Sequence, residues 1–138
     1  MVKIMETKTR PILFNGDMVR ALLDGSKTQT RRPVKGDLLK TCKLSDDDQH
    51  SFITNNTESP HGKPGDLLYV RETFAIYGDD EQYVIHYRAD MPNRGSGWTP
   101  SIHMPRRYSR LTLEITDVHV ERVQDIDDES AIKEGVLR

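Results

Sequence analysis

What the chain has least of is cysteine. Cys42 is the only one, so an intrachain disulfide is excluded and a reducing, cytoplasmic setting is the expectation. No apolar run approaches the ~20 residues that a spanning helix needs, so no membrane partner is expected. The opening Met1-Val2-Lys3-Ile4-Met5-Glu6 lacks the apolar core and small-residue cleavage site of a secretion signal. His50, His61, His86, His103 and His119 stand far apart, none three or four from another, and Cys42 has no partner. That leaves no metal-ligand spacing, and no metal or other cofactor is expected. Neither a Walker-type phosphate loop nor a dinucleotide-binding glycine pattern occurs. An excess of one charge is missing too. With 20 Lys and Arg against 22 Asp and Glu the net charge is -2, which argues against a protein that coats polyanions.

The charges that are present are segregated. Basic residues gather at Lys27, Arg31, Arg32 and Lys35 and again at Arg106, Arg107 and Arg110, acidic ones at 46–48, 79–81 and 125–129. Such separation fits a local anion-binding face, although solvated loops give the same pattern. At 138 residues and 35% hydrophobic content the chain has room for one domain with a single modest core.

The pattern predicts an opening strand over 11–14, then a helix over 17–23 with Asn15 as N-cap and Gly25 as its stop. Residues 40–64 turn polar and read as a long loop or insertion, flanked by Gly-Asp turns at 36–37 and 65–66. A buried strand is expected over 67–75 and an alternating one over 82–88, with a turn-rich loop carrying Trp98 over 92–105. The longest strand signal runs over 110–123, with Leu111, Leu113 and Ile115 on one face and a bulge near Thr116-Asp117. A short last helix is expected from Asp125 or Asp127 to Gly135. Short strands with two short helices indicate a compact, barrel-like α+β domain.

The densest chemistry lies in Gly25-Ser26-Lys27-Thr28-Gln29-Thr30-Arg31-Arg32-Pro33. A lysine whose pKa is depressed by Arg31, Arg32 and Lys35 can deprotonate the Thr30 hydroxyl. Residues three apart point to opposite faces of a straight strand, so the pair meets only if the chain bends. A solvated basic turn reads equally well. Glu134, at the end of the last helix, faces that helix's partial negative charge, which favours a proton-bearing acid there, although a solvent-facing glutamate at a frayed terminus is the reading that sequence alone favours. In Trp98-Thr99-Pro100-Ser101-Ile102-His103-Met104-Pro105-Arg106 an indole beside guanidinium groups suits a stacked base with its phosphates, and a core plug suits Trp98 as well. Arg71-Glu72 reads as an internal ion pair or as pocket polar groups.

Three of these segments, Gly25 to Arg31, Pro64-Gly65-Asp66-Leu67-Leu68-Tyr69-Val70-Arg71-Glu72 and Trp98 to Arg106, together resemble an ASCH domain of the phage and prophage type, in order over residues 10–136. The resemblance implies a single PUA-like domain over 1–138: a small β-barrel with short flanking helices, carrying the polar insertion at 40–64. It implies a basic cleft for RNA or a nucleoside. One branch of the family consists of amidohydrolases acting on N4-acetylcytidine, and its motif places the catalytic lysine and threonine on Lys27 and Thr30, with the late-helix glutamate on Glu134. In that reading Lys27 is the base, Thr30 the nucleophile and Glu134 the proton donor and orienter, while Thr28, Arg31, Arg32, Arg71, Glu72, Trp98, Ser101, His103 and Arg106 hold the ligand. The chain departs from those small hydrolases in its insertion and its Trp98 loop, so a larger ligand is expected. A final aromatic-rich strand of the phage branch has no counterpart after Gly135, which leaves a strand edge suited to homodimerisation. The alternative function is a non-catalytic phage accessory module binding RNA or protein. Nucleic-acid cleavage ranks below both.

Overall fold

The computed structural model describes residues 6–35 and 59–135. Cys42, His50, the first Gly-Asp turn and most of the polar insertion lie outside the described residues.

Strand β1 (Thr9–Leu13) runs parallel to β2 (Leu67–Arg71), and β5 (Thr112–Glu114) pairs antiparallel with β2 on its other side. A second sheet is the antiparallel pair β3 (Phe74–Gly78) and β4 (Tyr83–Tyr87). Helices α1 (Gly16–Asp24) and α2 (Asp128–Lys133) complete the domain. This is an α+β architecture of small mixed sheets with two short helices. Among the described residues the strands do not close into a barrel.

Alternation along the strands builds the core. Ile12 and Phe14, Leu68 and Val70 are buried on one face of the first sheet, where Val19 of α1 and Ala89 pack against them. Leu111, Leu113 and Ile115 flank that core from one side, as their shared face predicts, and Met18 and Leu22 of α1 close it from the other. The caps fall where the sequence puts them. The Asn15 side chain accepts from the Met18 amide at 2.9 Å, and Gly25 ends α1 in the left-handed region at φ 83°. Asp127 takes the equivalent role for α2, accepting from Ser130 at 2.7 Å.

Two strand expectations are corrected. The buried run over 67–75 is two strands in different sheets: Leu68, Val70 and Glu72 keep one buried face to the end of β2, and Phe74 begins the separate pairing with β4. The long strand over 110–123 is regular only at Thr112–Glu114: the Ile115 amide still donates to the Asp66 carbonyl at 2.9 Å in the same register, and the pairing ends where the Ile115 carbonyl accepts from the Gly65 amide at 2.8 Å. The second Gly-Asp turn works through Asp66, which is 2% exposed. Its carboxylate accepts from the Lys8 and Lys63 amides and from Arg10, tying the start of β1 to the start of β2. The recess beside it holds about 10 Å³, the room of one water, so it is a turn lock and not a ligand pocket.

Candidate functional site

The motif after α1 forms no strand. Its backbone bends back so that the Lys27 side chain reaches forward to its own segment and across to α2. The Lys27 amide donates to the Ala21 carbonyl of α1 at 3.0 Å. Its Nζ donates to the Gln29 carbonyl at 2.6 Å and the Glu134 carbonyl at 2.8 Å. One residue therefore ties the C-terminal ends of both helices, and its ammonium complements the partial negative charge at the end of α2. The amides of Thr28 and Gln29 add to this join, both donating to the Lys133 carbonyl, at 2.7 and 3.0 Å.

Lys27 is only 4% exposed and stands 5.3 Å from the centroid of the Phe14 ring. Burial pushes its pKa below the ordinary lysine value. The Glu134 carboxylate opposes that shift, while the Arg32 and Arg31 charges add to it. The depressed lysine is thus what the sequence leads one to expect, but desolvation is its first cause and the arginines are secondary.

Glu134 arrives from the end of α2. Its Oε1 accepts from the Arg31 amide at 2.8 Å and its Oε2 from Arg31 Nη1 at 3.0 Å. Burial by itself would raise this carboxyl. The Arg31 amide, the Arg31 guanidinium and the Lys27 charge outweigh it and hold the group below the usual carboxylate range. The expectation of a proton-bearing acid is therefore overturned: Glu134 is an ionised acceptor, because the pairing with Arg31 exceeds the pull of the helix end.

These bonds frame Thr30. The carbonyl before it is held by Lys27 Nζ and the amide after it by Glu134, so both peptide groups flanking Thr30 are fixed while the residue itself is exposed. Thr28 is exposed as well. Arg31 is engaged on several sides: its Nε meets Glu121, and its Nη atoms meet Glu134, the Ser130 carbonyl and Gln29 Oε1. Arg32 lies over the Phe14 ring at 5.6 Å and donates to the Leu13 carbonyl at 3.2 Å.

Leu13 pairs in register with Arg71, which brings the second group of residues alongside at the C-terminal ends of the parallel strands. Arg71 donates from Nε to the Met104 carbonyl at 3.0 Å and from Nη2 to the Ile102 carbonyl, fastening the turn that carries Ser101 and His103. His103 is exposed and Ser101 half-buried. Arg106 is exposed, 5.7 Å from the Tyr69 ring centroid. Trp98 is half-buried, with its Nε1 on the Arg94 carbonyl at 2.9 Å and the Arg94 guanidinium 5.5 Å from its ring. Glu72 faces inward, on the face that Leu68 and Val70 share, and both its oxygens are taken by Arg110.

Lys27, Arg31 and Glu134 are thus in one cluster around the Thr30 backbone, with Arg32 at its margin. Sequence reasoning passed over Glu121, and read Phe14 only as part of the opening strand and Gly135 only as a helix stop. Asp117, His119 and Glu121 alternate, and that spacing was the available sign of a charged face beside the basic motif. Gly135 has φ 91°, and a Cβ there would stand 3.0 Å from the Ala21 Cβ and 3.4 Å from the Lys27 Cβ. Gly135→Ala is expected to cost about 1–3 kcal/mol through the left-handed backbone and the lost close approach of α2 to α1. Denaturant unfolding checks this, and a cost no larger than that of an exposed helix substitution refutes it. Among the described residues no three metal-binding side chains cluster, and no helix is long and apolar enough to cross a membrane. Comparison with protein-family models, with curated proteins and with solved structures gives no match.

Proposed function

We propose that the chain is a PUA-like ASCH domain that recognises RNA or a modified nucleoside, and that Lys27, Thr30 and Glu134 hydrolyse an N4-acylated cytidine. The observation that carries this reading is the hydrogen bond of the Lys27 amine to the Gln29 carbonyl, in the peptide group that precedes Thr30. A neutral amine has two N–H donors and one lone pair. Both donors have acceptors in the Gln29 and Glu134 carbonyls, so deprotonation breaks neither bond and leaves the lone pair available. The depressed pKa brings that form closer to neutral pH.

The chemistry then runs in balanced steps. The Thr30 hydroxyl oxygen bonds to the acyl carbon as its proton passes to Lys27. The C–N4 bond breaks, and the Lys27 ammonium returns that proton to the departing cytidine amine. Water attacks the acyl-threonine ester by the same exchange, releasing the carboxylic acid. Glu134, being ionised, holds the Thr30–Arg31 peptide and orients the ammonium, and the donor role passes to Lys27.

A second observation favours binding without catalysis. Arg106 and Arg107 are exposed and stacked over Tyr69 and Tyr108, at 5.7 and 4.7 Å, on the same stretch that Arg71 fastens. Guanidinium–aromatic pairs at the surface suit bases and phosphates of a single strand. This is the non-catalytic phage accessory module, with RNA ahead of protein as its partner.

The experiment is incubation of the purified chain with N4-acetylcytidine, with cytidine followed chromatographically. Release of cytidine is expected, and its absence at high enzyme concentration overturns the hydrolase reading. Binding of a short single-stranded RNA is measured beside it. Affinity should fall with added salt, and Arg106→Ala should flatten that dependence by about one charge. Affinity indifferent to both overturns the RNA reading.

A further inference from the structure

We infer that Glu121 is a positioning residue of this cluster: it pins the Nε edge of Arg31, so that the Arg31 amide and Nη1 keep their grip on Glu134 and hold the peptide that follows Thr30. This rests on the reading of Lys27, Thr30 and Glu134 as the site.

The geometry is that of a clamp with two jaws. Arg31 Nε meets Glu121 Oε1, and Arg31 Nη1 meets Glu134 Oε2 at 3.0 Å, with the three side chains 20–22% exposed. A guanidinium presents its donors in a rigid plane, so fixing both edges removes the rotation that fixing one leaves. Nothing else described on the Glu121 side takes the Arg31 Nε. Glu121 is itself flanked by His119, whose Nε2 stands 4.0 Å from its second oxygen, while His119 Nδ1 lies 3.3 Å from Asp117. The charges that act on Glu134 are those of Arg31 and Lys27 from the loop after α1, with Arg32 beside Lys27, while on the segment after β5 Glu121, with His119 and Asp117 next to it, meets Arg31. Lys133, next to it in α2, is turned to Glu129 at 2.8 Å.

Positioning and simple charge make opposite forecasts. If Glu121 acts only as a negative neighbour, removing it makes Glu134 easier to ionise, and the Glu134 titration moves down. If Glu121 holds Arg31 in place, removing it releases Arg31 toward solvent, and the Glu134 titration moves up to the ordinary carboxylate range.

The test uses the full chain, with the Glu134 carboxyl followed by carbon NMR in wild type, Glu121→Leu and Glu121→Gln, and the fold checked by circular dichroism. Glutamine still accepts from Nε and leucine does not. The expected result is a Glu134 titration in Glu121→Leu above that of wild type, with Glu121→Gln below Glu121→Leu. Both variants falling together below wild type overturns the inference. Should Glu121→Leu not fold, hydrogen exchange at Arg31 Nε of the wild-type protein decides. Protection supports the clamp, and exchange at the rate of a free arginine overturns it. Where the chain turns over N4-acetylcytidine, Glu121→Leu should lose about 10²-fold in kcat with KM little changed, the cost of a misplaced reacting group, and Glu121→Gln should recover most of it. Absent turnover in wild type fails the hydrolase reading alone, because the titration and exchange still judge Glu121.

Discussion

Glu72→Ala is expected to destabilise the protein by about 3 kcal/mol, enough to lower Tm by about 10 °C. Glu72 is 2% exposed, and both its oxygens accept from Arg110, Nε to Oε2 and Nη2 to Oε1, each at 3.0 Å. Arg110 also grips Asp90, at 2.8 and 3.1 Å, and lies 4.1 Å from the centroid of the Tyr87 ring. One guanidinium thereby joins the end of β2, the end of β4 and the turn that follows it. The Tyr87 hydroxyl extends the join to the Tyr108 carbonyl at 2.7 Å. Removing Glu72 leaves the inner edge of a partly buried guanidinium without its carboxylate, with only Asp90 at the rim to hold it, and empties volume in the interior, whereas Asp90 is half exposed at 49% and its loss leaves Arg110 its inner partner. Asp90→Ala should therefore cost no more than about 1 kcal/mol. Denaturant unfolding of the two variants decides between them, and equal costs would refute the view that the inner pair is the stronger tie. Replacing Glu72 and Arg110 together by methionine should recover most of the loss, since it refills the interior and removes the inner donors that Glu72→Ala leaves without an acceptor.

Local signals were legible in the sequence and pairings across the fold were not. Asn15, Gly25, Asp127 and Gly135 bound their helices as read, because capping depends on a few adjacent residues. The face shared by Leu111, Leu113 and Ile115 was legible for the same reason. The run over 67–75 reads as one strand because its burial alternates without interruption, and nothing local says that its first half pairs with Thr112–Glu114 and its second with Tyr83–Tyr87. The motif at 25–32 announced a charged cluster, and burial of Lys27 could not be read from it. That burial needs Phe14 on one side and Gly135 on the other, one on the opening strand and one past the last helix. Arg31 reads as a phosphate ligand in isolation, while two carboxylates from distant segments take up its donors. Glu134 was legible from its helix-end position as well as from the resemblance, but that position suggested the wrong charge state, since the competing interaction with Arg31 is again a long-range one.

Lys27→Met is expected to lower kcat/KM on N4-acetylcytidine by about 10²–10⁴-fold, the contribution of a positioned general base. Methionine keeps the stem that packs on Phe14 and removes the amine. Two carbonyls lose their donor, at a cost of about 1–3 kcal/mol, offset in part because a desolvated ammonium goes with it. The variant should thus remain folded, and activity rather than stability should report the change. Thr30→Val should abolish turnover while leaving the fold intact, because its side chain is exposed and the peptide bonds around it stay held. The pH dependence separates the two groups. The folded-state pKa of Lys27 lies below its unfolded value, so between the two the unfolded chain binds the extra proton and stability rises with pH. The rate should rise over the same alkaline limb and level off once the amine is neutral. Glu134 is depressed instead, so its stabilisation is complete above the unfolded carboxylate value and is lost as pH falls through the folded one. Lys27→Met should erase the alkaline limb and move the acid limb up, because Glu134 loses a neighbouring positive charge, whereas Glu134→Gln should shrink the acid limb, which Asp66, Asp79 and Asp127 share, and move the alkaline limb down. If the alkaline rise in stability survives in Lys27→Met, another group titrates there, and Lys27 is a tie between two helix ends rather than a base.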